Sequence, residues 1–530
     1  MPEGTRPAAS AGFIERLLAP RAYPHPAGKV ELLETHISWV LLAGDYAYKI
    51  KKPVSLGFVD FSTPEARRFY CEEELRLNRR TAPELYLAVV PVTGTPEAPV
   101  MDGKGEAFEH AVKMRRFPQE ALLDRVAKAG ELDAAHVEAL ARSIARFHGE
   151  VRRAGADGAF GAPAGILAEA VDNFAQLELL EGSGDTHEAR QALASWTLRE
   201  FNRLAPVFAR RKHDGFVREC HGDLHLGNVA LLEGRPVAFD AIEFNEAFRW
   251  VDVMSEVAFP AMDLAHHGRE DLANRFVDAY LDATGDYAGL ATLRFYLVYR
   301  AMVRAKVSCI RAHQEGISAA DSERSAGAYR GHLALAQRLS RRPPGVLVAM
   351  HGVSGSGKTT ISGRLVEALG AVRLRSDVER KRLHGLEALA RTGSAFGAGL
   401  YAPEADRITY GRLGTLADEV LRAGYPVVVD AAFLKRAWRE MFREFARERG
   451  VPFVLVACAA PVEKLRERVV RREREGADPS EAGLAVLERQ AEKLEPLLAD
   501  ELDTAVIVDA QDAEEAMRAA ATSVAARIGA

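Results

Sequence analysis

The stretch GVSGSGKTT, residues 352–360, restricts what this chain can fold into more than any other. Gly352, Gly357, Lys358 and Thr359 satisfy the spacing GxxxxGK[ST], and Ser354, Gly355, Ser356 and Thr360 complete the run. Glycines let successive backbone N–H groups turn toward one anion, and the N-terminus of the following helix adds partial positive charge. The device needs a buried strand before it and a helix after it. Both are predicted: Val346–Met350 is a short apolar run, and a helical pattern follows the loop. In such a loop Lys358 meets the β- and γ-phosphates of a nucleotide, and Thr359 places its hydroxyl on Mg²⁺.

From this run onward, strand-like and helical patterns alternate. Strands are predicted at 346–350, 371–376, 426–430, 452–458 and 504–509. That alternation predicts a P-loop α/β domain over 345–530, with a parallel sheet covered on both faces. Ligands gather at the carboxyl ends of such strands. Asp430 closes the apolar YPVVVD and is the expected ligand for Mg²⁺ or its water. Asp377 closes AVRLRSD, and Arg380 follows one helical turn later. An Asp before VERKRL also reads as a helix N-cap. LRERVVRREREGADPSEAGL reads as a lid whose Arg468, Arg472 and Arg474 can clamp phosphates, or as a solvated helix face.

The seam lies in SRRPPGVLVAM. Helical, polar sequence ends near Ser340, and Pro343-Pro344 blocks its continuation. Before the seam, 1–340 divides into a strand-rich part, about 30–117, and a helical part, about 118–340. Strands are predicted in THISWVLLAG, YAYKIKK and LYLAVVPV, with Gly44-Asp45 as a hairpin turn. TPEARRFYCEEELRLNRR reads as a helix between the second and third.

A second chemical constellation sits in HGDLHLGN, residues 221–228, followed by PVAFD. Phosphoryl transfer needs a base near the acceptor hydroxyl, metal ligands, and a cation on the phosphates. Asp223 can accept a hydroxyl proton. Asn228 offers a neutral oxygen to Mg²⁺, and Asp240 offers a carboxylate to the same ion. Two short strands joined at EGR would bring Asn228 and Asp240 together.

HGDLHLGN with VAFD resembles the signature of the aminoglycoside phosphotransferase and choline kinase superfamily, over roughly residues 30–335. The resemblance implies a kinase-like, bilobal α+β domain with Asp223 as base, Asn228 and Asp240 on Mg²⁺, and His221 and His225 shaping the loop. YAYK then fits the pattern of a kinase strand lysine, so Lys49 reaches the phosphates. Lys51 has the same strand parity, and Lys52 points the other way. For its helix partner, Glu72, Glu73 and Glu74 are adjacent in CEEEL. Glu73 shares a face with Phe69 and Leu77 and is chosen on that ground. VKMRRFP reads as the connection between lobes, with the backbone near Met114–Arg116 holding adenine. One departure stands out: no glycine-rich loop precedes Lys49.

The downstream SDxxR arrangement resembles the small P-loop kinases, namely gluconate kinase, chloramphenicol phosphotransferase, zeta toxin and polynucleotide kinase. That resemblance implies that Asp377 activates an acceptor hydroxyl and Arg380 helps hold the acceptor. The whole chain resembles fusions of an aminoglycoside phosphotransferase-like module with an ATP-binding module. The expectation is a multidomain α/β phosphotransferase with two sites, each using ATP and Mg²⁺ on a small-molecule hydroxyl. Three rivals stand beside it: one active kinase with a nucleotide-binding regulator, a non-catalytic ATP-binding pseudokinase scaffold, and nucleic-acid 5′-end phosphorylation.

Composition narrows these. The formal charge of −5 lacks the basic excess of a nucleic-acid binder. The longest apolar run, 451–462, is too short for a bilayer, which needs about 20 residues. The N-terminus lacks the pattern of a signal peptide. Four scattered cysteines without a CxxC pair read as reduced thiols, and the expected compartment is the cytoplasm.

Overall fold

The structure, a computed structural model, describes residues 12–56, 59–182, 184–390, 402–475, 479–503, 505–509 and 513–528. Packing divides the chain into two units: residues 1–168 with 208–263, and residues 169–207 with 264–530.

The first unit is built on a six-stranded antiparallel sheet. Its order is Glu31–Glu34, Ser38–Ala43, Tyr46–Lys51, Ala107–Arg115, Tyr86–Thr95 and Ala98–Met101. Gly44-Asp45 makes the tight turn between Ala43 and Tyr46, as expected. Gly44 has φ +58°, and a Cβ there would lie 2.4 Å from the Pro26 carbonyl oxygen, so only glycine fits. One sheet face buries Leu41, Tyr48, Ile50, Val90 and Val92. Helix Pro64–Asn78 starts under an N-cap from Thr63, whose Oγ1 accepts the Ala66 N–H at 3.2 Å, with Pro64 at the first helical position. Downstream, strands Val229–Leu232 and Arg235–Ala238 form the expected hairpin.

The second unit contains a five-stranded parallel sheet. Its order is Val372–Arg375, Val427–Asp430, Leu347–His351, Phe453–Ala459 and Ala505–Asp509. These are the five strands expected from sequence. The inner ones are apolar on both faces, as a doubly covered parallel sheet requires.

The packing does not divide at the expected seam near residue 344. Helices Glu270–Thr284, Leu290–Ala312 and Ala319–Leu339 belong with the parallel sheet. Helix Glu270–Thr284 lies against the edge strand Val372–Arg375 and against helix Lys358–Leu369. Two prolines mark where a helix stops, but which sheet a helix covers is set by apolar faces far apart in sequence. Among the described residues no helix is long and apolar enough to cross a membrane. All four cysteines are free and buried.

Candidate active sites

In the first unit, Lys49 sits mid-strand, opposite Val40 and Val112. Its Nζ lies 2.9 Å from Glu74 Oε1 and donates to Asp240 Oδ1 at 2.5 Å. Burial opposes its charge, but the carboxylates of Asp240, Glu74 and Glu243 prevail and hold its pKa well above the ordinary lysine value. Lys51, of the same parity, donates to Glu74 Oε2 at 2.8 Å and to Glu243 Oε1. Lys52 faces away, beside Glu34 and over the Trp39 ring.

The helix partner is Glu74, which corrects the expectation of Glu73. That choice took Phe69 as inward-facing, yet Phe69 is 56% exposed. The buried line runs through Arg67, Cys71, Glu74 and Asn78, a spacing of three and four residues. Glu73 instead pairs with Arg76 at 2.8 Å, and Glu72 with Arg68. The stretch expected to hold adenine, Met114–Arg116, lies at the end of strand Ala107–Arg115. The strand runs through Arg115, Met114 packs in the apolar cluster around Tyr86 and Val112, and the Arg116 N–H donates to Asp45 O at 2.8 Å. That amide is engaged within the lobe rather than presented to a base.

The loop 221–228 is held from beneath. Gly222 has φ +91°, and a Cβ there would meet Phe248 O at 2.8 Å. The His221 and Gly222 N–H groups both donate to Glu256 Oε1, at 2.6 and 2.7 Å, while Glu256 Oε2 lies 2.8 Å from His148 Nε2. Burial raises the Glu256 pKa, but these bonds and the neighbouring histidines outweigh it and bring it down to about 2. Leu226 N–H donates to Asp263 Oδ2 at 2.9 Å. His221 Nδ1 faces the Asp223 N–H at 3.4 Å and Nε2 lies 2.9 Å from Phe239 O, while burial lowers its pKa and favours the neutral ring. His225 Nδ1 accepts the Gly227 N–H at 3.0 Å, and its Nε2 lies 3.6 Å from Asp223 Oδ2. Both histidines therefore shape the loop.

Asn228 Nδ2 donates to Asp223 O at 2.9 Å and to Asp223 Oδ2 at 3.1 Å, which leaves its Oδ1 as an acceptor suited to a cation. The hairpin returns the chain so that Phe239 N–H donates to Asn228 O, and Asp240 follows directly. Asp240 has φ +64°, a strained conformation for a residue with a side chain. Its N–H donates to Tyr86 Oη at 3.1 Å. Asp223, Asn228, Asp240 and Lys49 are thus gathered at one site. Oxygen donors of this kind suit Mg²⁺.

In the second unit, the phosphate-binding loop joins strand Leu347–His351 to helix Lys358–Leu369. Gly352, Gly355 and Gly357 have φ +140°, +80° and +93°. A Cβ on Gly352 would meet Cys458 O at 2.5 Å, and one on Gly355 would meet Leu465 O at 2.8 Å. Ser356 Oγ is buried with no hydrogen-bond partner among the described residues. Lys358 Nζ donates to Val353 O at 2.8 Å, and burial lowers its pKa against the pull of Asp430. An orphaned hydroxyl and a desolvated lysine beside a glycine cradle fit a nucleotide's phosphates.

Gly355, Gly357, Lys358, Thr359 and Thr360 line a cavity of about 610 Å³, together with Ser354, Asp377, Arg380 and Asp430. Asp377 is the second residue of helix Ser376–Leu383 and not its N-cap, which is Arg375. Arg380 lies 2.9 Å from Asp406 Oδ1. On helix Val462–Glu475, Arg468 and Arg472 share a face with Leu465 and Val469, which are buried. Arg468 Nη1 donates to Gly355 O at 3.3 Å, and Arg472 Nη2 to Ala482 O. Arg474 is exposed and does not line the cavity, whereas Arg471 does. Residues 476–478 of the expected lid lie outside the described residues.

Several contributors escaped the sequence reading. Gln490 Oε1 accepts the Ser354 N–H at 2.8 Å. Trp438 lines the cavity and stacks on Tyr410, centroids 4.6 Å apart at 2°. Arg375 and Lys435 add cations. Arg375 was reachable by strand parity with Asp377, but Gln490 and Trp438 carry no local signal.

The AAA domain family model matches residues 347–497. The uncharacterized protein Rv2004c of Mycobacterium tuberculosis is 30% identical over 472 residues, 87% of this chain and 90% of that protein. Among solved structures, a gluconokinase from Sinorhizobium meliloti 1021 is 29% identical, with a TM-score of 0.25, and covers 35% of this chain and 94% of its own. An amicoumacin kinase in complex with AMP-PNP, Ca²⁺ and Ami is 15% identical, with a TM-score of 0.38, covering 63% and 96%. Fold and sites define a kinase-class phosphotransferase in which a kinase-like N-terminal fold is fused to a nucleotide-binding P-loop domain. Within that class, the chain belongs to the family of the mycobacterial protein Rv2004c.

Proposed function

We infer that the chain transfers the γ-phosphate of Mg-ATP to hydroxyl groups of small molecules at two separate sites, in the cytoplasm. The observation that carries the reading is the cavity in which Lys358, Thr359, Asp430 and Asp377 face one space. The kinase-like site repeats the same division of labour with Lys49, Asn228, Asp240 and Asp223. When bound, Mg-ATP supplies the phosphoryl group and the ion offsets its charge. The chain does the rest. Lys49 and Lys358 meet the phosphates, Asn228 with Asp240 and Thr359 with Asp430 offer oxygens to the metal, and Arg468 and Arg472 flank the loop. Asp223 and Asp377 each take the proton of an acceptor hydroxyl. Arg375, Arg380 and Lys435 favour an acceptor rich in hydroxyls or carrying negative charge, such as a sugar acid. The kinase-like site would take a sugar, amino sugar or antibiotic-like acceptor.

The test is ATP consumption by the full chain across a panel of such acceptors, with Lys358→Ala and Asp240→Ala. Each variant is expected to abolish turnover of a different acceptor group. If Lys358→Ala silences every acceptor, a single kinase with a nucleotide-binding regulator replaces the two-site reading. If no acceptor stimulates the wild type, the catalytic reading itself fails.

A further inference from the structure

Strand Val372–Arg375 is an edge of the parallel sheet, and an edge strand has backbone groups in need of partners. One partner comes from upstream of the expected seam. Asp278, on helix Glu270–Thr284, accepts the Arg373 backbone N–H at 2.8 Å and Arg373 Nη2 at 3.1 Å. Both residues are buried, Asp278 at 2% and Arg373 at 7% exposure. Arg373 then reaches inward, and its Nη1 donates to the Thr359 carbonyl at 3.2 Å. Ser362 Oγ lies 3.1 Å from that carbonyl and 3.1 Å from Asp430 Oδ2. A buried polar chain therefore runs from Asp278 through Arg373, Thr359 and Ser362 to Asp430.

The far end of this chain is the pair of residues assigned to the metal. Other contacts of the same helix stop short of it. Asn274 Nδ2 donates to Glu367 O at 3.3 Å, Arg275 Nη1 lies 3.8 Å from Glu367 Oε1, and Arg382 Nη2 donates to Asp282 O. Asp282 Oδ2 of the same helix also lies 3.6 Å from Arg375 Nη1, which lines the cavity but does not touch Thr359. The Asp278 contact differs in that it continues to Thr359. A guanidinium inside a domain is oriented by its carboxylate partner and by the carbonyl that its other terminal nitrogen reaches. Removing the charge at Asp278 takes away the fixed partner of Arg373, and the Thr359 carbonyl then loses the charged donor that leaves the Ser362 hydroxyl free to face Asp430.

We propose that Asp278 is a positioning residue for the metal end of the phosphate-binding loop. It orients Arg373, and through it Thr359 and Asp430. The proposal rests on the reading of this loop as a Mg-nucleotide site. The helix that carries Asp278 is thereby part of the P-loop site, although it lies upstream of the seam in sequence.

The test measures binding of a non-hydrolysable ATP analogue to the full-length chain, with and without Mg²⁺, by calorimetry. Asp240→Ala is included throughout so that only the P-loop site responds to the metal. Asp278→Asn and Arg373→Lys are expected to raise the Mg²⁺ concentration needed for half-maximal tightening at least fivefold. Affinity for the metal-free nucleotide should stay within twofold. Asn274→Ala, on the same helix, should lower the melting temperature without moving the Mg²⁺ dependence. If Asp278→Asn and Arg373→Lys lower the melting temperature but keep the parent's Mg²⁺ dependence, the chain is a structural clamp and the proposal is overturned. If Asp278→Asn does not fold, Arg373→Lys decides alone. If the parent shows no Mg²⁺-dependent binding that Lys358→Ala removes, the Mg-nucleotide reading fails and this proposal falls with it.

Discussion

Glu74 Oε1 lies 2.9 Å from Lys49 Nζ, while its other carboxylate oxygen lies 2.8 Å from Lys51 Nζ. One wholly buried carboxylate thus serves two cations. Breaking a buried ion pair from one side costs about 3–5 kcal/mol, because the other charge is left without its partner. Glu74→Gln leaves Lys49 with Asp240 and Lys51 with Glu243, so it is expected to destabilise the kinase-like unit by less than that, about 1–3 kcal/mol. Glu73→Gln loses a partly exposed pair with Arg76 and should cost under about 1 kcal/mol. Denaturant unfolding of the two variants separates them, and equal losses would remove the distinction between the two glutamates.

Asp223 and Asp240 stand on either side of Asn228 but should fail differently. Asp223→Asn keeps the shape of the loop and removes the proposed proton acceptor. Turnover at the kinase-like site is expected to drop at least about 100-fold with nucleotide affinity changed by less than about threefold. Asp240→Ala removes the proposed metal ligand and the closest partner of Lys49, so Mg-nucleotide affinity itself should fall. Steady-state kinetics paired with calorimetry distinguish the two. Unchanged Mg-nucleotide affinity in Asp240→Ala would count against its assignment.

His351 gives the P-loop unit a pH dependence. The ring is buried, with Nδ1 lying 3.0 Å from Phe433 O. Burial lowers its pKa from 6.5 to about 4. The unfolded chain takes up this proton near pH 6.5, and the folded chain does so only near pH 4. Between those values the unfolded state binds more protons, so the stability contribution is full above about pH 6.5 and is lost as pH falls toward 4. From pH 7 to 5 the loss is on the order of 2 kcal/mol. His351→Gln keeps a donor for Phe433 O without the titration and should flatten this part of the profile. Parallel slopes for the two proteins in unfolding experiments at pH 7, 6 and 5 would clear His351 of the effect.

Cutting the chain at residue 344 separates Asp278 from Arg373, and Arg294 from the Gly424 carbonyl that it reaches at 3.0 Å. Residues 345–530 alone are expected to be less stable than residues 264–530 by several kcal/mol, since the cut strips the helix that covers the edge strand and uncovers apolar surface beneath it. Thermal melts of the two fragments measure this. Equal melting temperatures would show that the three helices only neighbour the sheet.

Local devices were determined by the sequence itself. The phosphate-binding loop, the turn at Gly44, the N-cap at Thr63 and the five apolar strands each depend on residues a few positions apart, where spacing and backbone freedom leave one arrangement, and a single short hairpin groups Asp223, Asn228 and Asp240. The tertiary structure alone decided the rest. Helix Pro64–Asn78 could turn Glu73 or Glu74 inward, and the sheet beneath it selected Glu74 by burying Cys71 and Asn78 on the same line. Glu256, which gathers the start of the 221–228 loop, lies 35 residues from His221. Asp278 lies 95 residues from Arg373, across the proline seam that marked a domain boundary in the sequence. Such partners meet only once distant apolar faces have been buried, and the burial that brings them together is also what makes their pairing obligatory.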